Sequence, residues 1–331
     1  MTDDVNLSIA ELRTIAATAL VRFGAEKTNA EYVAEAICHA ESRGIRECGV
    51  PHLIDFCGHL QSGRVDGTVR PSVQQVAPAV VHAHANGGFA QPAFAAGFPI
   101  ASAKAFELGC AVLVVSNSHT CGELGFFTKQ FASAGLVSLG FTNGTALVAP
   151  PEGARPVLGT NPIAFTVPGR DGEPRIHIDQ STSIVNRAII ARTEQMESVL
   201  MPGWAKDRFG QPTQDPREAL NGSILSAGGA RGFCLAIVAE VLSAMVTGSR
   251  LSINTQLLKA PEGKPHHLGQ FFLVLDPGII GQSEFWTSLE VFCDAVESQA
   301  KCRLPGSGKA DIAEITLPDK LWQTCLGLLS G

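Results

Sequence analysis

The chain lacks most of the short signatures that announce a function. It has no G-x-G-x-x-G turn after a strand and no P-loop, so any nucleotide must be held outside those two standard turns. No H-E-x-x-H or C-x-x-C accompanies its histidines and cysteines, which removes the usual sequence support for a zinc site. A G-x-S-x-G elbow is missing too, so a hydrolase of that kind has no nucleophile to point to. With net charge −6 and no basic run, nucleic acid is not an expected partner. No apolar stretch reaches about 18 residues, the length a membrane helix needs. The N-terminal MTDDVNLS is acidic and without an apolar core, so it does not read as a secretory signal. Internal repeats and low-complexity segments are also absent.

What remains is a chain of 331 residues, 45% hydrophobic and 17% charged, with 34 glycines, suited to about two compact domains of a loop-rich enzyme. Its nine cysteines, an odd number with no close pairs, read as reduced thiols of a cytoplasmic protein. Residues 8–42 predict two helices, the first capped by Ser8 with Glu11 in a capping box, the second opened by Thr28 and Asn29. Residues 60–73 read as a connector and 92–108 as a helix, and another helix is expected to begin near Gly122. AVLVV (111–115), LVSLGF (136–141), PIAFTV (162–167), RIHID (175–179) and FFLVL (271–275) read as strands, RIHID on a half-exposed sheet. The apolar run from Phe233 to Val246, interrupted by Glu240, predicts a buried helix.

Four turn-borne segments suit anions. SAGGARGF (226–233) sets glycines and Arg231 ahead of a helix, where free backbone N–H groups favour phosphate. RLPGSGK (303–309) places Arg303 and Lys309 around a Pro-Gly turn. GTNPIAF (159–165) and DQSTS (179–183) cluster hydroxyls and amides at strand ends. Each alone is most simply a turn or a solvated charge. Together they point to a ligand, because binding groups concentrate on loops held by a rigid scaffold. His82, His84, His266 and His267 read as surface or loop histidines, and no metal is expected.

In order, SNSHTCGELGFF, GLVSLGFTNG, PVLGTNPIAFTVPG, DQSTS, LSAGGARGFCLAIVAEVLSAMVTG, LGQFFLVLDP and RLPGSGK resemble the malate/L-lactate dehydrogenase type 2 oxidoreductase family over nearly the whole chain. GWAKDRFGQPTQDP and ESQAKCRLPG lean it towards the Δ1-piperideine-2-carboxylate/Δ1-pyrroline-2-carboxylate reductases. The resemblance implies a mixed α/β fold: a non-Rossmann NAD(P)-binding domain (111–299) with a largely antiparallel sheet, and a helical substrate-side domain (1–110 with 300–331). It implies a homodimer, NADPH or NADH as cofactor, and hydride transfer to the C=N or C=O of a small cyclic imino acid or 2-oxo acid; Arg231, Arg303 and Lys309 lean the cofactor towards NADPH, with NADH as the alternative. The cofactor is expected to meet His119, Thr120, Cys121, Gly122, Glu123, Leu124 and Gly125; Thr160; Asp179, Gln180, Ser181, Thr182 and Ser183; Ala230 and Arg231; and Arg303, Leu304, Pro305, Gly306, Ser307, Gly308 and Lys309. Arg231 stands where relatives commonly have lysine, a mild change towards phosphate.

The stretch AESRGIRECGV, continuing to His52, departs from the resemblance. Relatives read G-x-x-S-H-G-x-x-R, and this chain reads Gly44-Ile45-Arg46-Glu47-Cys48-Gly49-Val50-Pro51-His52. Glu47 and Cys48 replace the serine–histidine pair that resembles a proton-delivery apparatus, and His52 replaces the arginine expected to hold a substrate carboxylate. The aspartate that orients the family histidine is missing near Ala188 and Ile189. Glu47, Cys48, His52 and His119 are therefore expected to form the reaction pocket, with His52 and Thr160 on the substrate. An already protonated imine needs a nearby carboxylate more than an acid, which favours imine over ketone reduction. Two rival readings stand beside this one: a catalytically silent NAD(P)-binding protein, and a 2-hydroxy acid dehydrogenase of the malate/lactate type.

Overall fold

The computed structural model describes residues 4–307 and 311–330. Its strands are β1 (Val5–Ser8), β2 (Ser72–Ala77), β3 (Val80–His84), β4 (Cys110–Ser118), β5 (Val137–Thr142), β6 (Ile163–Pro168), β7 (Pro174–Gln180), β8 (Ala205–Lys206), β9 (Pro212–Thr213), β10 (Ser223–Ile224), β11 (Leu268–Leu275) and β12 (Glu314–Leu317). Its α-helices are α1 (Ile9–Arg22), α2 (Lys27–Ser42), α3 (Val50–Gln61), α4 (Ala90–Leu108), α5 (Gly125–Ser133), α6 (Arg187–Gln195), α7 (Pro216–Asn221), α8 (Ala230–Glu240), α9 (Pro277–Ile280), α10 (Gln282–Glu297) and α11 (Asp319–Ser330).

Seven strands form the main sheet in the order β2-β3-β4-β11-β5-β6-β7. Only β3 and β4 run parallel; every other neighbouring pair is antiparallel. This mixed α/β architecture has none of the repeated parallel crossovers of a Rossmann sheet. β2 and β3 precede residue 111, so the sheet also draws on the segment expected to be helical. Helices α4 and α5 cover one face, where Phe94, Phe127, Phe131 and Phe272 pack with Leu113 and Val115. Phe94 meets the other three rings at centroid distances of 4.8, 5.4 and 5.2 Å. Each such buried side chain contributes roughly 1.5–3 kcal/mol, which makes this layer the rigid base of the site. A second core joins α1, α2 and α3 through Leu20, Val33, Ile37, Leu53 and Phe56.

Several local expectations change. The Ser8–Glu11 capping box forms. Helix α2, however, is capped by Glu26, whose carboxylate accepts from the N–H groups of Thr28 and Asn29. The helix expected near Gly122 starts at Gly125. β7 is covered on both sides rather than half exposed: Ile176 packs with Leu289 and Cys293, and His177 is buried against Thr166. The run from Phe233 to Val246 is not fully buried. Leu235, Val238, Met245 and Val246 are 51%, 44%, 57% and 56% exposed, and α8 passes into a π-helical turn over Val241–Met245.

Candidate active site

The altered segment is shaped by a buried glutamate. Glu41 Oε1 accepts from the N–H of Val50 at 2.7 Å. A Cβ on Gly49 would lie 2.0 Å from that same oxygen, so only glycine fits there. Pro51 then sits in the first turn of α3, where its missing N–H costs nothing. From this start, His52, Asp55, Phe56 and His59 fall at i, i+3, i+4 and i+7, one face of the helix. All four line a cavity of about 360 Å³. Glu47, Cys48, Thr120, Cys121, Gly122 and Thr160 line it as well, together with Asn143, Arg187, Ala188 and Lys259.

Of the four residues expected to carry the chemistry, Glu47, Cys48 and His52 thus meet in one cavity. Glu47 sits exposed at its rim. Burial, with Glu123 and Asp179 nearby, pushes the Cys48 thiol well above its usual range, so it stays protonated and yields a proton poorly. Burial lowers His52 to about 3, so its ring is neutral at pH 7. It stacks on Phe56 at 5.2 Å, and its Nδ1 has no hydrogen-bond partner among the described residues. A neutral imidazole is a poor substitute for the cationic arginine of the family pattern.

His119 is placed differently from expectation. It is wholly buried behind Phe56, does not line the cavity, and stacks on His266 with centroids 4.1 Å apart and rings 16° from parallel. His119 Nε2 lies 3.0 Å from His59 Nδ1. His266, expected at the surface, is therefore a core residue. The three histidines offer nitrogens within 4.8 Å of one another. An ion lies in the plane of each imidazole that binds it, and two nearly parallel stacked rings share no such point. Arg64 adds a cation 3.3 Å from His59 Nε2. The cluster is thus built as a hydrogen-bonded stack rather than a metal cage, and burial lowers the pKa of all three rings.

The expected cofactor segments are joined by backbone and hydroxyl hydrogen bonds. The Thr182 N–H and the hydroxyls of Ser181 and Thr182 all donate to Thr160 O at 2.9 Å. Ser183 bridges Ser226, and the Ala227 N–H donates to Thr182 O. This brings the 159–161, 179–183 and 226–231 segments side by side. Asn161 is held from behind by Glu240, which accepts from Asn161 Nδ2 and from the Ser252 N–H and hydroxyl at 2.9, 2.7 and 2.6 Å.

Two observations fit this edge to a dinucleotide. Gly228 and Gly229 take φ of +70° and +65°, with nothing within 4 Å of where a Cβ would stand, so the N-terminus of the 11-residue α8 is open, with Arg231 exposed beside it. Gly122, φ +74°, faces the cavity where a Cβ would touch His52 Nδ1 at 3.4 Å. Ala230 is exposed on the first turn of α8, and Gln180 is exposed at the end of β7. Asp179 accepts from the Gly125 N–H at 2.7 Å, and burial raises its pKa to about 7. Glu123 pairs with His39 Nδ1 at 3.0 Å, and Leu124 is buried in the sheet core, so these two brace the loop rather than line the cavity. Arg303 to Ser307 lie elsewhere, along the outer edge of β7, where Pro305 O accepts from the His177 N–H and Leu304 is buried. Gly308 and Lys309 lie outside the described residues.

Asp55, His59, Arg187 and Lys259 were not anticipated. The first two were accessible from their spacing to His52. Arg187, at the start of α6, and Lys259, in a distant loop, reach the cavity from far along the chain and leave no such signal.

An N-terminal helical layer, a largely antiparallel non-Rossmann sheet and a cavity between them define the class, and the chain belongs to the malate/L-lactate dehydrogenase family, whose pattern matches residues 7–324. It is similar to a (2R)-3-sulfolactate dehydrogenase (NADP(+)) of Chromohalobacter salexigens, 35% identical over 91% of this chain and 90% of that one. It is also similar to a Delta(1)-pyrroline-2-carboxylate reductase of Ancylobacter novellus, 32% identical over 95% and 93%. The crystal structure of delta1-piperideine-2-carboxylate reductase from Pseudomonas syringae superposes with a TM-score of 0.89 at 30% identity, covering 98% of this chain and 99% of the other.

Proposed function

We propose that the protein is an NADPH-dependent reductase that delivers hydride to the C=N or C=O carbon of a small cyclic imino acid or 2-oxo acid. One observation carries the reading: the altered 47–52 segment, the 120–122 loop and Thr160 converge on a single cavity of about 360 Å³ in a chain of this family. When bound, the nicotinamide supplies the hydride. In this reading Thr160, Ser181 to Ser183 and the open first turn of α8 hold the dinucleotide. The exposed guanidinium of Arg231 suits the additional 2′-phosphate that NADPH carries and NADH lacks. Phe56, backed by the His119–His266 stack, forms an apolar wall of the cavity, which strengthens every charge inside it.

The exposed apolar strip Leu235, Val238, Met245 and Val246 supports a homodimer, since a monomer would leave those side chains in water. Among the described residues no helix is long and apolar enough to cross a membrane. The free cysteines support a cytoplasmic setting.

The test is fluorescence titration with NADPH and NADH, followed by turnover assays on a panel of cyclic imines and 2-oxo acids. Turnover with preference for NADPH is expected. Tight nucleotide binding with no turnover on either class would overturn the reading in favour of a silent binder. Turnover unchanged in Glu47→Gln, Cys48→Ala and His52→Ala would show that the reacting atoms lie elsewhere.

A further inference from the structure

The cavity holds one pair of opposite charges that the family pattern does not account for. Asp55 comes from the exposed-to-cavity face of α3, and Lys259 from the loop that follows Thr255. Their charged atoms, Oδ2 and Nζ, stand 3.7 Å apart, close enough to attract and too far to hydrogen-bond. Asp55 Oδ2 is buried and has no hydrogen-bond partner among the described residues. A buried carboxylate oxygen without a donor is costly, so its presence calls for a group that arrives with the ligand. Burial raises the Asp55 pKa while Lys259 lowers it, as expected for a carboxylate whose partner is incomplete. Lys259 is exposed, so its ammonium is free to turn to an incoming anion. The other cation lining the cavity among the described residues, Arg187, already donates to Leu220 O at 3.0 Å.

We propose that Asp55 and Lys259 together recognise a zwitterion: Lys259 takes the carboxylate of the substrate and Asp55 takes the N–H of its protonated ring nitrogen. This rests on the reductase reading and narrows its substrate class to cyclic imino acids over 2-oxo acids. In a cyclic 2-imino acid the carboxylate and the nitrogen hang on the same carbon, so opposite charges only 3.7 Å apart match them one to one. A 2-oxo acid brings two acceptors and no donor, which leaves the Asp55 oxygen unpaired. The chemistry balances with the iminium form. Hydride adds to the carbon of C=N, the π pair becomes the nitrogen lone pair, and the nicotinamide is oxidised. The nitrogen keeps the proton it arrived with, so no separate acid is needed. That fits a cavity whose thiol and imidazole are both poor donors at neutral pH. Glu47, at the solvent-exposed rim, is the weaker candidate for that role because water screens it.

The decisive measurement is equilibrium binding to the full-length protein by calorimetry, without cofactor, of piperidine-2-carboxylate and of cyclohexanecarboxylate. The two have nearly the same shape, and only the first carries the ring N–H. Wild type should bind piperidine-2-carboxylate about tenfold or more tightly, the worth of one charge-assisted hydrogen bond. Asp55→Asn should remove most of that preference, and Lys259→Met should weaken both ligands by a similar factor. Equal affinity of wild type for the two ligands, or a preference that survives Asp55→Asn, overturns the proposal. Turnover assays separate the two levels. Wild type inactive on imines and oxo acids alike would sink the reductase reading, while an active wild type whose imine-over-oxo ratio is unmoved by Asp55→Asn would sink this assignment alone.

Discussion

Replacing Asp179 by Asn tests the electrostatic reading of the loop that precedes α5. The side chain sits at the end of β7 and accepts from the Gly125 N–H at 2.7 Å. Burial raises its pKa, the Gly125 hydrogen bond opposes the rise, and Glu123 adds to it, leaving the group at about 7. The ordinary value is 3.8. Between those two values the folded chain holds a proton that the unfolded chain has released, so stability falls as pH rises through the window. At about 1.36 kcal/mol per pH unit, the cost reaches roughly 4 kcal/mol above pH 7, an upper figure because partial water access screens the charge. Asn keeps an oxygen for the Gly125 N–H and never ionises. The difference in melting temperature between Asp179→Asn and wild type should therefore be near zero at pH 4, grow steadily to pH 7 and level off above it. A difference that stays constant from pH 4 to pH 8 would refute the assignment of a buried, proton-holding carboxyl.

Glu240→Ala strips the acceptor from both Ser252 donors and leaves Asn161 Nδ2 with Ala236 O alone, and should cost about 3 kcal/mol in urea unfolding. It should also weaken NADPH in a fluorescence titration, because the Thr160 turn loses its backing; unchanged affinity would separate that turn from the cofactor. Val238→Glu places a charge in the exposed apolar strip of α8 and should shift the protein from dimer to monomer in sedimentation analysis, whereas an unmoved dimer would assign the interface to another face.

The parts of the fold that were legible are those where local chemistry and tertiary environment agree. The β-branched run 111–115 and the apolar run 271–275 became the adjacent strands β4 and β11, the first almost wholly buried and the second with Phe272 and Val274 buried and their neighbours half-buried. The β2–β3 hairpin went unread because β2 is a sheet edge: Gln74 and Gln75 face water, so no apolar alternation marks it. The run 233–246 misled because an apolar stripe says only that something covers it, and that cover need not come from the same chain. At the site, the 47–52 segment was found from its departure from a family pattern. Asp55 and His59 lay within reach of helical spacing from His52, but nothing in the sequence established that α3 begins at Val50 until Gly49 is seen pressed against Glu41. Lys259 could not be read at all, since it meets Asp55 across 204 residues of chain and sits in a loop without a motif.

The charge lost from one place in the cavity reappears in another. The family pattern puts a cation at position 52; here that position holds a ring that burial keeps neutral. Behind it Arg64 and three histidines already occupy the interior, and the guanidinium donates to backbone oxygens of Leu257, Leu258 and Ala260. Those same carbonyls carry the loop that presents Lys259. A second arginine at position 52 would add a like charge to this interior, while a lysine on the loop supplies the positive charge from the solvent side. The opposite partner, Asp55, lies one helical turn beyond His52 on the same face of α3. The substitution at 52 and the Asp55–Lys259 pair are thus two sides of one arrangement. In the proposed reading the cavity keeps an electrostatic handle for a small acid but moves it from the wall of α3 to the loop facing it, and it brings a carboxylate with it, which a ketone does not need and an iminium does.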